Sequence, residues 1–373
     1  MTNLLVISSA PLIDVNGKYF AYSPYIKEIE IWNKHSSSIA FCCPFWYEKR
    51  NLLVFEIPFV VNKIFKLQDF NIKNLKNAIY AIPIILKSLL TIYKSIKSAN
   101  HIHIRCPGNF GLLACIVQIF FPNKIKTAKY AGNWDPKAKK PTSYKLQKWI
   151  LSNTFLTKNM QVLVYGEWQN QSKNIKPFFT ATYKETEKTD IVTKSFKNNI
   201  EFLFVGMLTK GKNPMYCIQI LEKLLTNHKN IKLSYYGEGI ERENLENYIK
   251  INNLQNFVSL KGNHNLEILK KAYQESHFMI LPSESEGWPK AVAEAMFWGC
   301  LPISTPVSCV SNMLDNENRG ILLEMNLDQD IARIEKLLNN EIQYQEKVLK
   351  AINWSRKYTL DYFAQEIKLL LQS

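Results

Sequence analysis

The seven cysteines form no Cys-x-x-Cys pair, and their number is odd. Both facts argue against a disulfide framework and against a cysteine zinc site, and favour reduced thiols in a cytoplasmic protein. Long apolar runs are scarce as well. The longest, Ala78 to Leu86, is interrupted by Pro83 and ended by Lys87. A bilayer-spanning helix needs ~20 apolar residues, so none is expected. The opening residues, MTNLLVISSAPLID, lack the basic flank and long apolar core of a secretory leader and read as a strand and a loop. Glycine and proline are sparse, at 13 and 15 of 373 residues, while 46% of the chain is hydrophobic. That composition excludes disorder, and the length suggests roughly two domains, each with its own core.

Acidic residues are short in one half only. Residues 1–180 hold 24 Lys/Arg against 8 Asp/Glu, a balance of +16, whereas residues 181–373 hold 23 against 24. A polyanion should therefore meet the first half, whether an anionic membrane surface or a phosphorylated acceptor. No zinc finger, RNP-type aromatic motif or basic-zipper heptad accompanies the charge, so nucleic acid is not the expected partner.

Apolar strand-like runs alternate with helical stretches in both halves, the pattern of parallel βαβ units. In the first half, Leu4–Ser8, Ser38–Cys42, His101–Arg105, Ile125–Tyr130 and Gln161–Tyr165 read as strands, with helices at Ser23–Trp32, Leu75–Ser98, Gly111–Phe120 and Tyr144–Ser152. The polar stretch 184–199 reads as a linker. A second alternating set runs from Ile200 to Ser304, and a last helix covers Trp354–Leu371. The domains are thus 1–183, 200–353, and a returning helix in 354–373.

Ligands of open parallel sheets bind beyond the carboxyl ends of strands. The loop Leu281-Pro-Ser-Glu-Ser-Glu-Gly-Trp-Pro289 is such a place. Pro289 suits a first helical position, free amides at that helix start favour an anion, and Gly287 lets a ligand approach the backbone. Glu286 and Glu294 bracket the helix start, where hydroxyl groups suit carboxylates better than phosphates do.

The segment SESEGWPKAVAEAMFWGCLPIS resembles the donor-site signature of retaining glycosyltransferases of family 4, with two glutamates separated by seven residues. The resemblance implies the GT-B fold: two Rossmann-like domains facing across a cleft, with a C-terminal helix crossing back to the first. It implies that Glu286 contacts the transferred sugar, that Glu294 grips the ribose, and that Gly287, Trp288, Pro289 and Lys290 cradle the diphosphate. Val205-Gly206-Met207-Leu208-Thr209-Lys210-Gly211-Lys212 resembles a second family segment, whose lysine, here Lys212, neutralises the leaving group. Met207 stands where the family usually has arginine, and Lys210 or Lys290 is the candidate replacement. Gly237 matches a turn before a helix, Asn263 and His264 match the loop touching the base, and Gly17 matches a loop closing on the diphosphate. Arg105, Asn109, Trp134 and Asp135 lie in the segments that end two strands of the first half and are acceptor-side candidates.

The expected activity is metal-independent transfer, without a cofactor, from a nucleotide-diphosphate sugar to a glycan or lipid-linked acceptor. A sugar-nucleotide epimerase and a non-catalytic sugar-nucleotide-binding protein are the alternatives. His101 and His103 alternate along one strand without a third ligand, so they read as core or rim residues rather than a metal pair. The basic amphipathic stretch Leu75–Ser98, with the loop Trp46–Phe65, suits an anionic inner membrane face, although a helix packed on its own sheet fits the pattern too.

Overall fold

Runs rich in Val, Ile, Leu and Phe, bounded by small polar residues, form strands buried on both faces, as parallel sheets covered by helices require. The computed structural model describes residues 2–50, 53–72, 74–190 and 194–372. The chain divides into two units, Met1–Phe178 with Phe363–Ser373, and Phe179–Tyr362.

The described strands of the first unit are β1 (Asn3–Ile7), β2 (Leu12–Val15), β3 (Lys18–Tyr22), β4 (Ser38–Trp46), β5 (Val54–Glu56), β6 (Lys63–Leu67), β7 (His101–Cys106), β8 (Ile125–Tyr130), β9 (Met160–Tyr165) and β10 (Ile175–Phe178). They run in the order β10-β9-β8-β7-β1-β4-β2-β3-β5, with β6 on β4. Pairing is parallel except for β2–β3 and β3–β5, an antiparallel flap. The short strands of that flap lack alternating apolar patterning, which is why the sequence reading passes over them. Helices α1 (Ser23–Lys34), α2 (Leu75–Ser98), α3 (Asn109–Val117) and α4 (Thr142–Ser152) complete the unit. By length and composition α2 could cross a membrane, contrary to the sequence expectation, because its lysines are spaced widely enough to leave apolar turns between them.

In the second unit, β11 (Ile200–Val205), β12 (Ile231–Tyr236), β13 (Val258–Gly262), β14 (Phe278–Leu281), β15 (Leu301–Ser304) and β16 (Ile321–Leu322) form an all-parallel sheet ordered β13-β12-β11-β14-β15-β16. This is the doubly wound order of dinucleotide-binding folds, and its direction of winding reverses between β11 and β14. The helices are α5 (Pro214–Leu224), α6 (Arg242–Ile251), α7 (Leu266–Glu275), α8 (Lys290–Phe297), α9 (Val310–Leu314), α10 (Leu327–Leu338) and α11 (Glu341–Ser355).

Two expected boundaries differ. The stretch 184–199 is no loose linker. The backbone amide of Glu185 donates to Asp361 Oδ2, and Lys194 Nζ donates to the carbonyls of Tyr273 (3.2 Å) and Gly299 (3.0 Å). Phe196 stacks on Phe278 at 5.9 Å. Tertiary partners supply what the polar local sequence does not announce; residues 191–193 lie outside the described set. The expected terminal helix is also interrupted. Helix α11 ends at Ser355 and α12 (Leu360–Gln372) starts after Thr359, whose hydroxyl caps the amide of Tyr362 at 3.2 Å. From Phe363 onward α12 belongs to the first unit, where the Phe363 ring packs on Phe178 at 5.5 Å.

The core of the first unit contains a buried charge cluster. Glu28 of α1 pairs with Arg105 of β7 and with Lys129 of β8 (2.9 Å). Lys129 also lies 5.1 Å from the Phe363 ring and 5.5 Å from that of Tyr165, which offset part of its desolvation. Burial by itself would raise the pKa of Glu28, but the two cations outweigh it and bring the carboxyl down to about 2. Its folded pKa is therefore below its unfolded one. The resulting stability is present above about pH 4.5 and is lost as pH falls toward 2, to the extent of about 3 kcal/mol. Glu28→Ala should cost about 3–5 kcal/mol at pH 7, because two buried cations lose their partner. Urea unfolding of the variant and of the wild type between pH 2.5 and 7 checks both statements. An unchanged midpoint for the variant at pH 7 refutes the account.

Candidate functional site

The loops at the carboxyl ends of β11, β12 and β13 are stitched together by backbone bonds. Gly206 N donates to Tyr236 O at 3.0 Å, Gly237 N to Gly262 O at 2.9 Å, and Leu208 N to Glu238 O at 3.0 Å. A methyl group at Gly237 would sit 1.8 Å from the carbonyl oxygen of Gly206, so glycine is obligatory there. Gly237→Ala should destabilise the second unit by about 3 kcal/mol as the loops are forced apart. Thermal melts of the two proteins measure this, and equal midpoints would count against the stitched arrangement.

After β11 the chain turns through a single 3-10 turn, Lys210–Lys212, before Asn213 at φ 48° leads into α5. Gly211 O there accepts the amide of Glu284 at 2.8 Å, tying this loop to the one after β14. Across the same gap Lys212 Nζ is ion-paired with Glu286 Oε1, and both side chains are largely shielded. The two residues thus meet at the point where the sheet reverses its winding. Behind them the β14–α8 loop is held by hydroxyls from beyond β15. Ser308 Oγ donates to Gly287 O at 2.8 Å, and Thr305 Oγ1 donates to Ser283 O. Pro289 caps α8, which starts at Lys290, one residue later than its sequence suggests. Trp288 packs against Trp354 at 6.2 Å and Tyr358 at 5.8 Å.

Glu294, one turn into α8, accepts hydrogen bonds from the Thr182 hydroxyl (2.7 Å) and the Tyr273 hydroxyl (3.1 Å). Burial raises its pKa, while Thr182, the charge of Lys290 and Tyr273 act in the opposite sense. Neither hydroxyl is marked in the sequence: Thr182 sits in a polar stretch without periodicity, and Tyr273 reads as core. A small pocket of about 20 Å³ beside Glu294 is lined by Thr182, Trp288, Lys290 and Tyr358. A larger cavity of about 790 Å³ opens at the ends of β14, β15 and β16, lined among others by Ser283, Glu284, Glu317, Glu324 and Arg333. Arg333 is ion-paired there with both Glu317 and Glu324, so two of the three carboxylates are already paired.

Lys210 and Met207 are exposed on the β11 loop, Met207 to 65%. Asn263 and His264 follow β13, where His264 Nε2 lies 3.0 Å from the carbonyl of Lys261 and its ring 5.5 Å from that of Tyr236. An Asp-x-Asp spacing occurs at Asp328 and Asp330, of which Asp328 is exposed. Asp330 is buried in α10 and accepts the Tyr216 hydroxyl (2.6 Å) and the Glu324 amide (2.8 Å).

In the first unit the structure revises several expectations. Gly17 (φ 80°) and Asn16 (φ 53°) form the two-residue turn of the β2–β3 hairpin, whose left-handed backbone accounts for that glycine. Trp134 is fully buried, donates Nε1–H to Gln171 Oε1 at 2.9 Å and packs on Tyr130, so it is a core residue rather than a ligand-facing one. Its polar neighbours Asn133 and Asp135 gave the sequence segment the look of a site. Asp135 folds its own loop by accepting the Lys137 amide at 2.8 Å. Arg105 is committed to Glu28, and Asn109 opens α3 with its side chain on the carbonyl of Phe70 at 3.3 Å. Buried His101 and His103 share the Thr127 hydroxyl at 3.1 and 2.9 Å, and burial holds both imidazoles neutral.

Two successive parallel α/β units of this kind define the GT-B fold class. The structure of Anabaena Alr3699/HepE in complex with UDP superposes over 100% of both chains with a TM-score of 0.67 at 12% identity. Residues 185–354, most of the second unit, match the family model of the glycosyl transferases group 1. An uncharacterized glycosyltransferase of Haemophilus influenzae is 29% identical over 177 residues, 46% of this chain and 49% of the relative. The chain therefore spans about half the length of that relative. A UDP-Gal:alpha-D-GlcNAc-diphosphoundecaprenol alpha-1,3-galactosyltransferase of Escherichia coli is 25% identical over 283 residues, covering 69% of this chain and 71% of its own.

Proposed function

We propose that this protein is a retaining, metal-independent glycosyltransferase. It moves a sugar from a nucleotide-diphosphate donor to a glycan or lipid-linked acceptor in surface polysaccharide synthesis, working in the cytoplasm at the inner face of a membrane. The observation that carries this reading is the Lys212–Glu286 pair at the winding reversal of a doubly wound sheet. The Escherichia coli relative, whose name specifies a diphosphoundecaprenol-linked acceptor, supports the acceptor class.

The chemistry follows from charge. The bond between the anomeric carbon and the diphosphate oxygen breaks, its electron pair passes to the diphosphate, and an acceptor hydroxyl attacks from the same face. The acceptor proton goes to the departing phosphate oxygen, so no separate protein base is required. In the free protein Glu286 holds Lys212 in place. An arriving diphosphate draws Lys212 to itself and repels Glu286, which is then available to sugar hydroxyls. Amides at the start of α8 and the Lys290 ammonium add to the stabilisation of the leaving group. Glu294, already oriented by Thr182 and Tyr273, has lone pairs left for the ribose.

Incubation with UDP- and GDP-sugars, followed by assay of free nucleotide diphosphate, tests the reading. Lys212→Ala should lower turnover about a hundredfold, the loss typical of one preorganised donor. Glu294→Ala should weaken nucleotide binding, and calorimetry showing unchanged affinity would remove the ribose role. The uncharged Met207 beside this site favours one competing reading, a nucleotide-sugar-binding protein without turnover. Tight binding without product release would establish that instead.

A further inference from the structure

Helix α2 has two faces, and both are apolar. One face, with Ala81, Ser88, Ile92, Ser95 and Ile96 no more than 2% exposed, packs on β1, β4, β6 and α3. The other presents Ile79, Ile82, Leu86 and Leu90 to solvent at 58, 53, 57 and 64% exposure. Their spacing of three, four and four residues draws one stripe along the helix. Tyr80 and Tyr93 flank it, also exposed, and the Tyr93 ring touches Phe121 at 4.9 Å, next to exposed Phe120. Lys76, Lys87, Lys94 and Lys97 lie on the same outward side, and the helix contains no acidic residue. A surface helix of a globular unit ordinarily gives its outer face to charged and polar groups. A contiguous apolar stripe rimmed with cations is instead the make-up of a helix lying in a membrane interface.

We infer that α2 docks this protein onto an anionic lipid bilayer. Ile79, Ile82, Leu86 and Leu90 sit at the acyl boundary, the tyrosines lie at headgroup level, and the lysines lie against lipid phosphates. Charge complementarity selects this occupant. The helix carries four lysines and no acid, within a half-chain whose balance is +16, so a second copy packed on the stripe would meet like charge. Spanning is ruled out by the other face, which is already packed on the sheet, so the helix lies on the membrane rather than through it. The inference deepens the reading of a lipid-linked acceptor, but its test needs neither donor nor acceptor.

The test is co-sedimentation of the full chain with vesicles of phosphatidylglycerol and phosphatidylcholine, compared with vesicles of phosphatidylcholine alone. Binding to the anionic vesicles should weaken as salt is raised from 50 to about 500 mM. The Leu86→Glu/Leu90→Glu variant should bind at least tenfold more weakly while its thermal unfolding is unchanged, since both side chains are exposed. Lys87→Gln/Lys94→Gln should weaken binding and flatten its salt dependence. Equal binding by the wild type and the Leu86→Glu/Leu90→Glu variant overturns the inference, as does absence of binding to anionic vesicles. A dimer that this variant dissolves would assign the stripe to a second copy instead. Loss of turnover with vesicle binding intact would sink the enzymatic reading alone, and the converse would sink the docking alone.

Discussion

The ion pair between Lys212 and Glu286 is the constraint around which the second unit is arranged. Each residue follows a different strand, and the two strands are neighbours only because the sheet winds outward in both directions from them. The crevice at such a reversal is where doubly wound sheets bind their ligands, and that is where this charged pair lies. The backbone bond from Glu284 to Gly211 holds the two loops at the separation the pair needs, and Ser308 braces the loop from behind. The carboxylate fixes where the Lys212 ammonium sits in the free protein.

The first unit handles charge differently. Its cluster of Glu28, Arg105 and Lys129 is closed in by rings and shielded from water, so its effect is on folding and on the placement of α1 against β7 and β8. The remaining excess of positive charge is spread over the surface, and on α2 it borders an apolar stripe. The same half of the chain thus places one set of cations in its interior and another on its surface.

The parallel strands and the helices between them were legible because burial on both faces writes long apolar runs into the sequence. Ile125–Tyr130 ends where the sequence places it, and the second alternating set starts at Ile200 and reaches Ser304 as read. The flap β2–β3–β5 was not legible, since short edge strands with one wet face leave little pattern. Trp134 and Asp135 illustrate the opposite error. An aromatic residue beside polar ones at a strand end looks like a ligand platform, yet here the ring completes the core and the carboxylate shapes its own turn. The break at 356–359 and the packing of Lys194 are likewise tertiary: the Leu360 amide donates to Tyr183 O, and Lys194 to Tyr273 O and Gly299 O, all distant in sequence.

The sequence by itself determined the βαβ alternation, the lopsided charge and the residue types at the two loops that carry Lys212 and Glu286. These are local properties of burial period and loop composition. Only the tertiary structure decided that this lysine and this glutamate touch, that Thr182 and Tyr273 grip Glu294, and that α2 turns Leu86 and Leu90 toward solvent. Each of those facts depends on which strand lies beside which, and an apolar residue reads the same in a sequence whether its face meets a sheet or water.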